Sequence, residues 1–147
     1  MRLTALRSAP TAYGETYARA AEGDDYYWQK WWLERTEDVA MRAMAYVDGV
    51  PAGQIAGVQW RGPDTAPMLV AMWVEEPFRG TGVADALVTE VLAWAREQGY
   101  AQVELGVTEG NETARKLYLR HGFQPNGEWE DLHSFPGLRI EVMMRDL

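Results

Sequence analysis

The chain is predicted to fold as one mixed α/β domain spanning residues 1–147. Three observations carry this prediction. Two strand-like runs flank an Asp48-Gly49 turn, an amphipathic helical stretch runs from about Gly82 to Gln98, and the last strand alternates cleanly from Leu138 to Arg145. Neither a repeat nor a low-complexity tract interrupts them.

In chain order, residues 1–22 read as helical, interrupted at Pro10, with Leu3 and Leu6 on one face. A second helix is predicted from Asp24 to Arg35, capped by Asp24 or Asp25. Its Tyr27, Trp28, Trp31 and Trp32 form one wide stripe, suited to core packing or to a pocket wall. Strands follow at about Met41–Val47 and Pro51–Trp60; Asp-Gly is a strong hairpin signal between them. Ala66–Val74 is nearly all apolar and reads as a buried strand.

In the long helix, Val83, Leu87, Val91 and Trp94 mark the buried face, and Gly99 stops it. Ala101–Val107 is a further strand. A shorter helix runs from about Glu112 to His121, capped by Asn111 and closed by Gly122. Phe123 opens an extended stretch broken by Pro125 and Asn126-Gly127. The final strand puts Leu138, Ile140, Val142 and Met144 on one face and Arg139, Glu141, Met143 and Arg145 on the other.

Composition narrows the function. The chain has no cysteine and only two histidines, His121 and His133, which removes disulfides, thiolate metal sites and cysteine nucleophiles. No metal site is expected. No apolar run approaches the roughly 20 residues of a membrane span, and the start has no signal-like apolar core, so the reading is cytoplasmic with no membrane partner. Net charge is -8, from 22 acidic and 14 basic residues, which disfavours nucleic-acid binding. Such a surface suits a cationic amine, or simply solubility.

The segment most informative about chemistry is Phe78-Arg79-Gly80-Thr81-Gly82-Val83-Ala84, between a strand and a helix. Its glycines allow a tight turn and close backbone approach. The helix start exposes unpaired N–H groups and a positive dipole end, which suits a phosphate or pyrophosphate. A purely structural turn has the same glycines. The segment lacks the Gly-Lys-Ser/Thr of a P-loop and the third glycine of a dinucleotide fingerprint.

Arg79-Gly80-Thr81-Gly82-Val83-Ala84 is similar to the Arg/Gln-x-x-Gly-x-Gly/Ala signature of the GNAT family of N-acetyltransferases. Val74-Glu75-Glu76-Pro77 precedes it as in that family, and Asn111, Ala114, Tyr118 and Gly122-Phe123 follow in the family's order and spacing. The resemblance is good from about Ala66 to Leu147 and fainter upstream, where Ala5–Pro10 and Tyr13-Gly14 look like the first helix and its loop. The family usually begins with a strand before that helix, and this chain starts within the helix.

The resemblance implies a central, mostly antiparallel sheet flanked by helices. It also implies acetyl-CoA as co-substrate, with the pantetheine arm along Met72, Trp73 and Val74. The Val74 N–H would face the thioester carbonyl. The pyrophosphate would sit on the N–H groups of Arg79, Gly80, Thr81, Gly82, Val83 and Ala84, with Asn111 bonding the arm. Tyr118 would protonate the departing thiolate. Some members carry a glutamate five residues before the asparagine; here that position is Gly106. Glu104, on the same strand face, is the first choice for the general base, with Glu75 or a water chain as alternatives.

The implied function is direct transfer of acetyl from acetyl-CoA to a primary amine of a small molecule or peptide. Alternatives are a non-catalytic acyl-CoA-binding module on the same fold and a nucleotide site in an unrelated α/β protein. The acceptor site is expected around the first two helices and residues 128–136. Those segments hold Tyr26, Tyr27, Trp28, Trp31, Trp32, Trp129, Glu130 and Asp131, an aromatic and acidic set suited to a cationic amine. A homodimer through the exposed edge of the last strand is one expected assembly.

Overall fold

The structure is a computed structural model that describes residues 1–24, 41–59, 61–62 and 64–147. The predicted helix at Asp24–Arg35, with its aromatic stripe, lies outside the described residues except for Asp24.

Among the described residues six strands form one sheet: β1 (Met41–Val47), β2 (Val50–Val58), β3 (Met68–Val74), β4 (Gln102–Thr108), β5 (Gln124–Asp131) and β6 (Arg139–Asp146). Their spatial order is β1-β2-β3-β4-β6-β5, and every neighbouring pair is antiparallel except β3 with β4. Among the described residues the helices are α1 (Arg2–Ser8), α2 (Tyr17–Ala21), α3 (Val83–Glu97) and α4 (Glu112–Arg120). Pro10 interrupts the first helical region as predicted, and a short 3-10 turn follows at Pro10–Ala12.

Several local signals produced their elements. Asp48 and Gly49 both take positive φ, 51° and 77°, the geometry of a tight hairpin turn matched to strand twist. The α3 stripe of Val83, Leu87, Val88, Val91, Leu92 and Ala95 is buried against the sheet. Asn111 caps α4 by accepting from the Ala114 N–H at 3.2 Å, and Phe123, fully buried, follows the Gly122 stop. On β6 the predicted alternation holds: Ile140 and Val142 face one side, while Met143 is buried in the main core on the other.

Two features differ from expectation. The stretch after Phe123 is a full strand, β5, because its bulge between Pro125 and Trp129 absorbs the turn-forming residues without ending the pairing. In consequence β6 is not an edge: it lies between β4 and β5, so the edge predicted to offer a dimer contact is already paired. The free edge there is β5, all of whose residues are exposed.

Two apolar clusters sit on opposite faces of the sheet. The larger joins α3 and α4 to β2, β3, β4 and β6; the smaller joins Ala5, Leu6, Tyr13 and Ala20 to Trp73. The sheet's weak point lies between them. Parallel strands β3 and β4 meet only at Met68 and Glu104, where the Glu104 N–H bonds Pro67 O at 2.9 Å, and beyond that pair they diverge. The register of β2 against β3 slips between Gln54 and Ala56, and Ala71 takes φ 56°, which is a bulge in β3 at the start of the divergence.

Candidate active site

The divergence of β3 and β4 opens a cavity of about 1100 Å³ that passes through the sheet. On one face its wall is Ala114, Leu117 and Tyr118 of α4; on the other it is Arg2, Tyr13 and the residues of the α1–α2 connection. Met72 from β3 and Glu104 and Gly106 from β4 line the gap itself. Two ligands entering from opposite faces would meet inside it.

Tyr118 reaches the cavity from the buried side of α4. It is 5% exposed and packs edge-on to Phe123, with ring centroids 5.8 Å apart. Its hydroxyl has no hydrogen-bond partner among the described residues. Burial, reinforced by the nearby Tyr13 phenol, pushes its pKa well above the usual tyrosine value, so it stays protonated.

Tyr13 stands opposite, from the α1–α2 connection. Its hydroxyl donates to Met72 O at 2.9 Å. Burial raises its pKa to about 12, against the opposing pull of Arg2 and Arg79. Sequence reading placed Tyr13 only in a loop; the partner lies 59 residues away, so no local signal reveals it.

The gap-side edge of β3 follows from its pairing with β2. Gly53 and Val74 are partners, and the Glu75 N–H bonds Ala52 O at 2.9 Å. By antiparallel alternation the N–H and C=O of Val74 then point away from β2, into the gap. The C=O is taken: Arg79 Nε donates to it at 3.1 Å. The N–H has no backbone acceptor among the described residues.

Beyond β3 the chain turns into α3. Gly80 and Gly82 take φ 76° and 92°, and space beside both Cα atoms is open. The N–H groups of Gly80, Thr81, Gly82, Val83 and Ala84 have no backbone acceptor among the described residues. That row of donors at the N-terminus of a 15-residue helix fits a pyrophosphate. Arg79 belongs to it less than expected. Its N–H goes to Glu76 O at 3.2 Å, and its guanidinium turns back over the Trp73 ring at 4.9 Å.

The sequence model of the Acetyltransferase (GNAT) family matches residues 4–123. The chain belongs to that family. N-acetylaspartate synthetase of Danio rerio is 39% identical over 96 residues, covering 63% of this chain and 34% of the relative. The chain thus spans about a third of that relative's length. Among solved structures, the ribosomal-protein-alanine N-acetyltransferase of Brucella melitensis superposes with a TM-score of 0.71 at 21% identity, covering 85% of this chain and 80% of the other. Arabidopsis thaliana Naa50, in complex with the bisubstrate analogue CoA-Ac-MVNAL, gives a TM-score of 0.62 at 23% identity, covering 72% of each. Both share the GNAT fold.

Within the GNAT frame, the geometry sorts the predicted residues. Met72, Tyr118, Glu104 and Asn111 come together around the cavity. Asn111 spends its carbonyl on capping α4, which leaves its amide N–H groups for a ligand. Trp73 points its side chain to the α1 side, into the smaller apolar cluster, so only its backbone belongs to the gap-side strand.

Glu104 is 7% exposed and pairs with Arg61, Oε1 to Nη2 at 2.7 Å. Arg61 comes from the β2–β3 connection and was not singled out in the sequence. Gly106 has a steric reason for being glycine: an added Cβ would lie 2.5 Å from Ile140 Cγ2 of β6. A carboxylate at that position is excluded unless Ile140 moves. Glu75 does not line the cavity.

Of the expected acceptor wall, Glu130 lines the cavity, and so does His133. Trp129 stands on the other face of β5, where Arg139 lies over its ring at 4.7 Å. His121 closes α4 and bonds Asp85 Oδ1 at 2.9 Å, remote from the gap. The remaining predicted aromatics of that wall, Tyr26, Tyr27, Trp28, Trp31 and Trp32, fall outside the described residues.

Proposed function

We propose that the protein transfers the acetyl group of acetyl-CoA to a primary amine of a small molecule or peptide, by direct attack. The observation that carries this reading is the cavity through the sheet. It is lined by a protonated, unpaired phenol and by Met72 of β3, the strand whose Val74 N–H lies on the same edge and which runs on into an open row of helix N–H donors. Acetyl-CoA seen in this way is a substrate, with its pyrophosphate on residues 80–84 and its arm along the Met72–Val74 edge.

The steps follow from the residues. Holding amine and thioester in one enclosed gap supplies much of the rate advantage. The amine attacks the thioester carbon from the α1–α2 face, and the oxygen that gains charge is held by the Val74 N–H. The C–S bond breaks, and Tyr118 gives its proton to the leaving thiolate. Asn111 steadies the arm. Glu104, through water, accepts the proton lost by the amine. No covalent enzyme intermediate is needed.

A second reading, a non-catalytic acyl-CoA-binding module, draws support from the Glu104–Arg61 pair, since a carboxylate engaged by a guanidinium is a poorer proton acceptor. A carboxylated amine has some support from the named relative and a peptide N-terminus from the named structures, so the acceptor class stays at primary amine. We also place the protein in the cytoplasm as a single domain over residues 1–147; among the described residues no helix is long and apolar enough to cross a membrane. The test is calorimetry with acetyl-CoA, CoA, ATP and NAD. Selective binding of the two CoA species is expected; binding of ATP or NAD instead would overturn the assignment.

A further inference from the structure

We propose that Tyr13 is a positioning residue for the acyl site. Its hydroxyl holds the β3 bulge in the arrangement that turns the Val74 N–H into the gap, and it couples the α1–α2 segment to the reacting centre. The proposal rests on the acyl-transfer reading above.

The argument starts from which strand groups face the gap. At the closed end, Pro67 O is bonded by Glu104, so residues 67 and 69 face β4. Past the bulge the parity has changed, and Val74 faces the gap. The exchange happens at Ala71, which sits between the Ala56–Val70 and Gln54–Trp73 partners. A strand side has period two, so absorbing the extra residue beyond Val74 would turn the Val74 N–H toward β2 and present Trp73 instead.

Ala71 does not favour this arrangement by itself. Its φ of 56° lies in the left-handed region, where a residue with a Cβ is disfavoured. Surrounding contacts must hold it. Two side chains grip the bulge. Gln54 Nε2 reaches Ala71 O at 3.5 Å, the limit of a useful hydrogen bond, while the Tyr13 hydroxyl reaches Met72 O at 2.9 Å. Beyond Met68, β3 has no strand partner on the gap side among the described residues, so Tyr13 is the stronger restraint there.

Tyr13 is itself anchored to the walls of the cavity. Ser134 Oγ donates to Tyr13 O at 3.0 Å, and Thr108 Oγ1 donates to Thr11 O at 2.6 Å. The Arg2 guanidinium lies over the ring at 4.7 Å. These contacts come from the β5–β6 connection, the end of β4 and α1. A shift of the acceptor-side wall therefore moves the phenol and, through it, the peptide that sets the Val74 donor. Because its proton is committed to Met72 O, Tyr13 places the donor and does not itself protonate the thiolate.

Tyr13→Phe keeps the ring and removes the hydroxyl. In nitrogen-15-labelled protein without ligand, the Trp73 amide, which alternation pairs with Gln54 O, is expected to exchange with solvent about tenfold faster. The Val74 amide resonance is expected to shift. In thiol release from acetyl-CoA with the best of a panel of amino acids, polyamines, aminoglycosides and short peptides, kcat is expected to fall about tenfold. Acetyl-CoA affinity stays as in wild type. Placing 4-aminophenylalanine at position 13 restores a donor and should restore both readouts, and it serves alone if the phenylalanine variant is unfolded. Unchanged Trp73 exchange and Val74 resonance overturn the proposal. So does a fall in rate matched by a fall in acetyl-CoA affinity, or a folded aminophenylalanine variant as impaired as Tyr13→Phe. The amide measurements need no substrate: a wild type that releases no thiol would sink the acyl-transfer reading while those measurements still judge the clamp.

Discussion

Replacing Tyr118 by Phe separates chemistry from packing more cleanly than other changes at this site. The ring is 5% exposed and keeps its edge contact with Phe123 in the variant. The hydroxyl has no partner among the described residues, so its removal breaks no hydrogen bond and leaves no orphaned acceptor. Thermal stability should therefore be unchanged or slightly raised. The rate should respond quite differently. A positioned general acid contributes about 10²-fold to 10⁴-fold, which is roughly 2.7–5.4 kcal/mol at 1.36 kcal/mol per tenfold. The assay is thiol release from acetyl-CoA at saturating amine, with calorimetry for acetyl-CoA affinity and a melting curve for the fold. The expected result is a kcat lowered at least about a hundredfold with affinity and melting temperature retained. A folded variant with full kcat would refute the reasoning and remove Tyr118 from the mechanism.

Further predictions follow from the same geometry. Gly82→Glu places bulk and negative charge at a φ of 92° beside the N–H row, so calorimetry should show loss of CoA binding in a variant that still folds. Gly106→Ala puts a Cβ against Ile140 Cγ2 and should destabilise the fold by about 1–3 kcal/mol in denaturant melts, a loss largely relieved by adding Ile140→Ala. Glu104→Gln should lower kcat about tenfold or more, whereas unchanged kinetics would hand the proton to water. The tyrosines predict alkaline behaviour. Both have folded pKa values raised above the unfolded value near 10, so their contribution to stability is complete below about pH 10 and is lost as pH rises through the folded values. Melting temperature should fall steeply above about pH 10, and less steeply in Tyr118→Phe.

What could be read in advance was what local patterns determine. The Asp48-Gly49 hairpin, the α3 stripe, the Asn111 cap and the β6 alternation each need only a few neighbouring residues, and each appears where expected. The glycine turn was legible as a strand-to-helix turn, and Gly80 and Gly82 take positive φ there; Tyr118 was singled out through the family resemblance, and it lines the cavity. Strand β5 was missed because Pro125 and Asn126-Gly127 read as a break, whereas pairing to β6 carries the strand past them through a bulge. The same long-range pairing made β6 an interior strand. The bulge at Ala71 left no mark in an apolar run, since the period is broken by one alanine whose conformation is set by Gln54 and Tyr13. Arg61 on Glu104 and Tyr13 on Met72 join residues 43 and 59 positions apart, which no pattern along the chain encodes. The steric role of Gly106 likewise needs Ile140 of a different strand.

The central claim is that this gap moves an acetyl group from a CoA thioester to an amine. The most direct test incubates the protein with acetyl-CoA and a panel of primary amines, following free thiol and the mass of each amine together. The account predicts thiol release matched by acetylation of at least one amine, both abolished by Gly82→Glu and strongly slowed by Tyr118→Phe. Tight acetyl-CoA binding with no thiol release from any amine would contradict it and leave a binding module on an acetyltransferase fold.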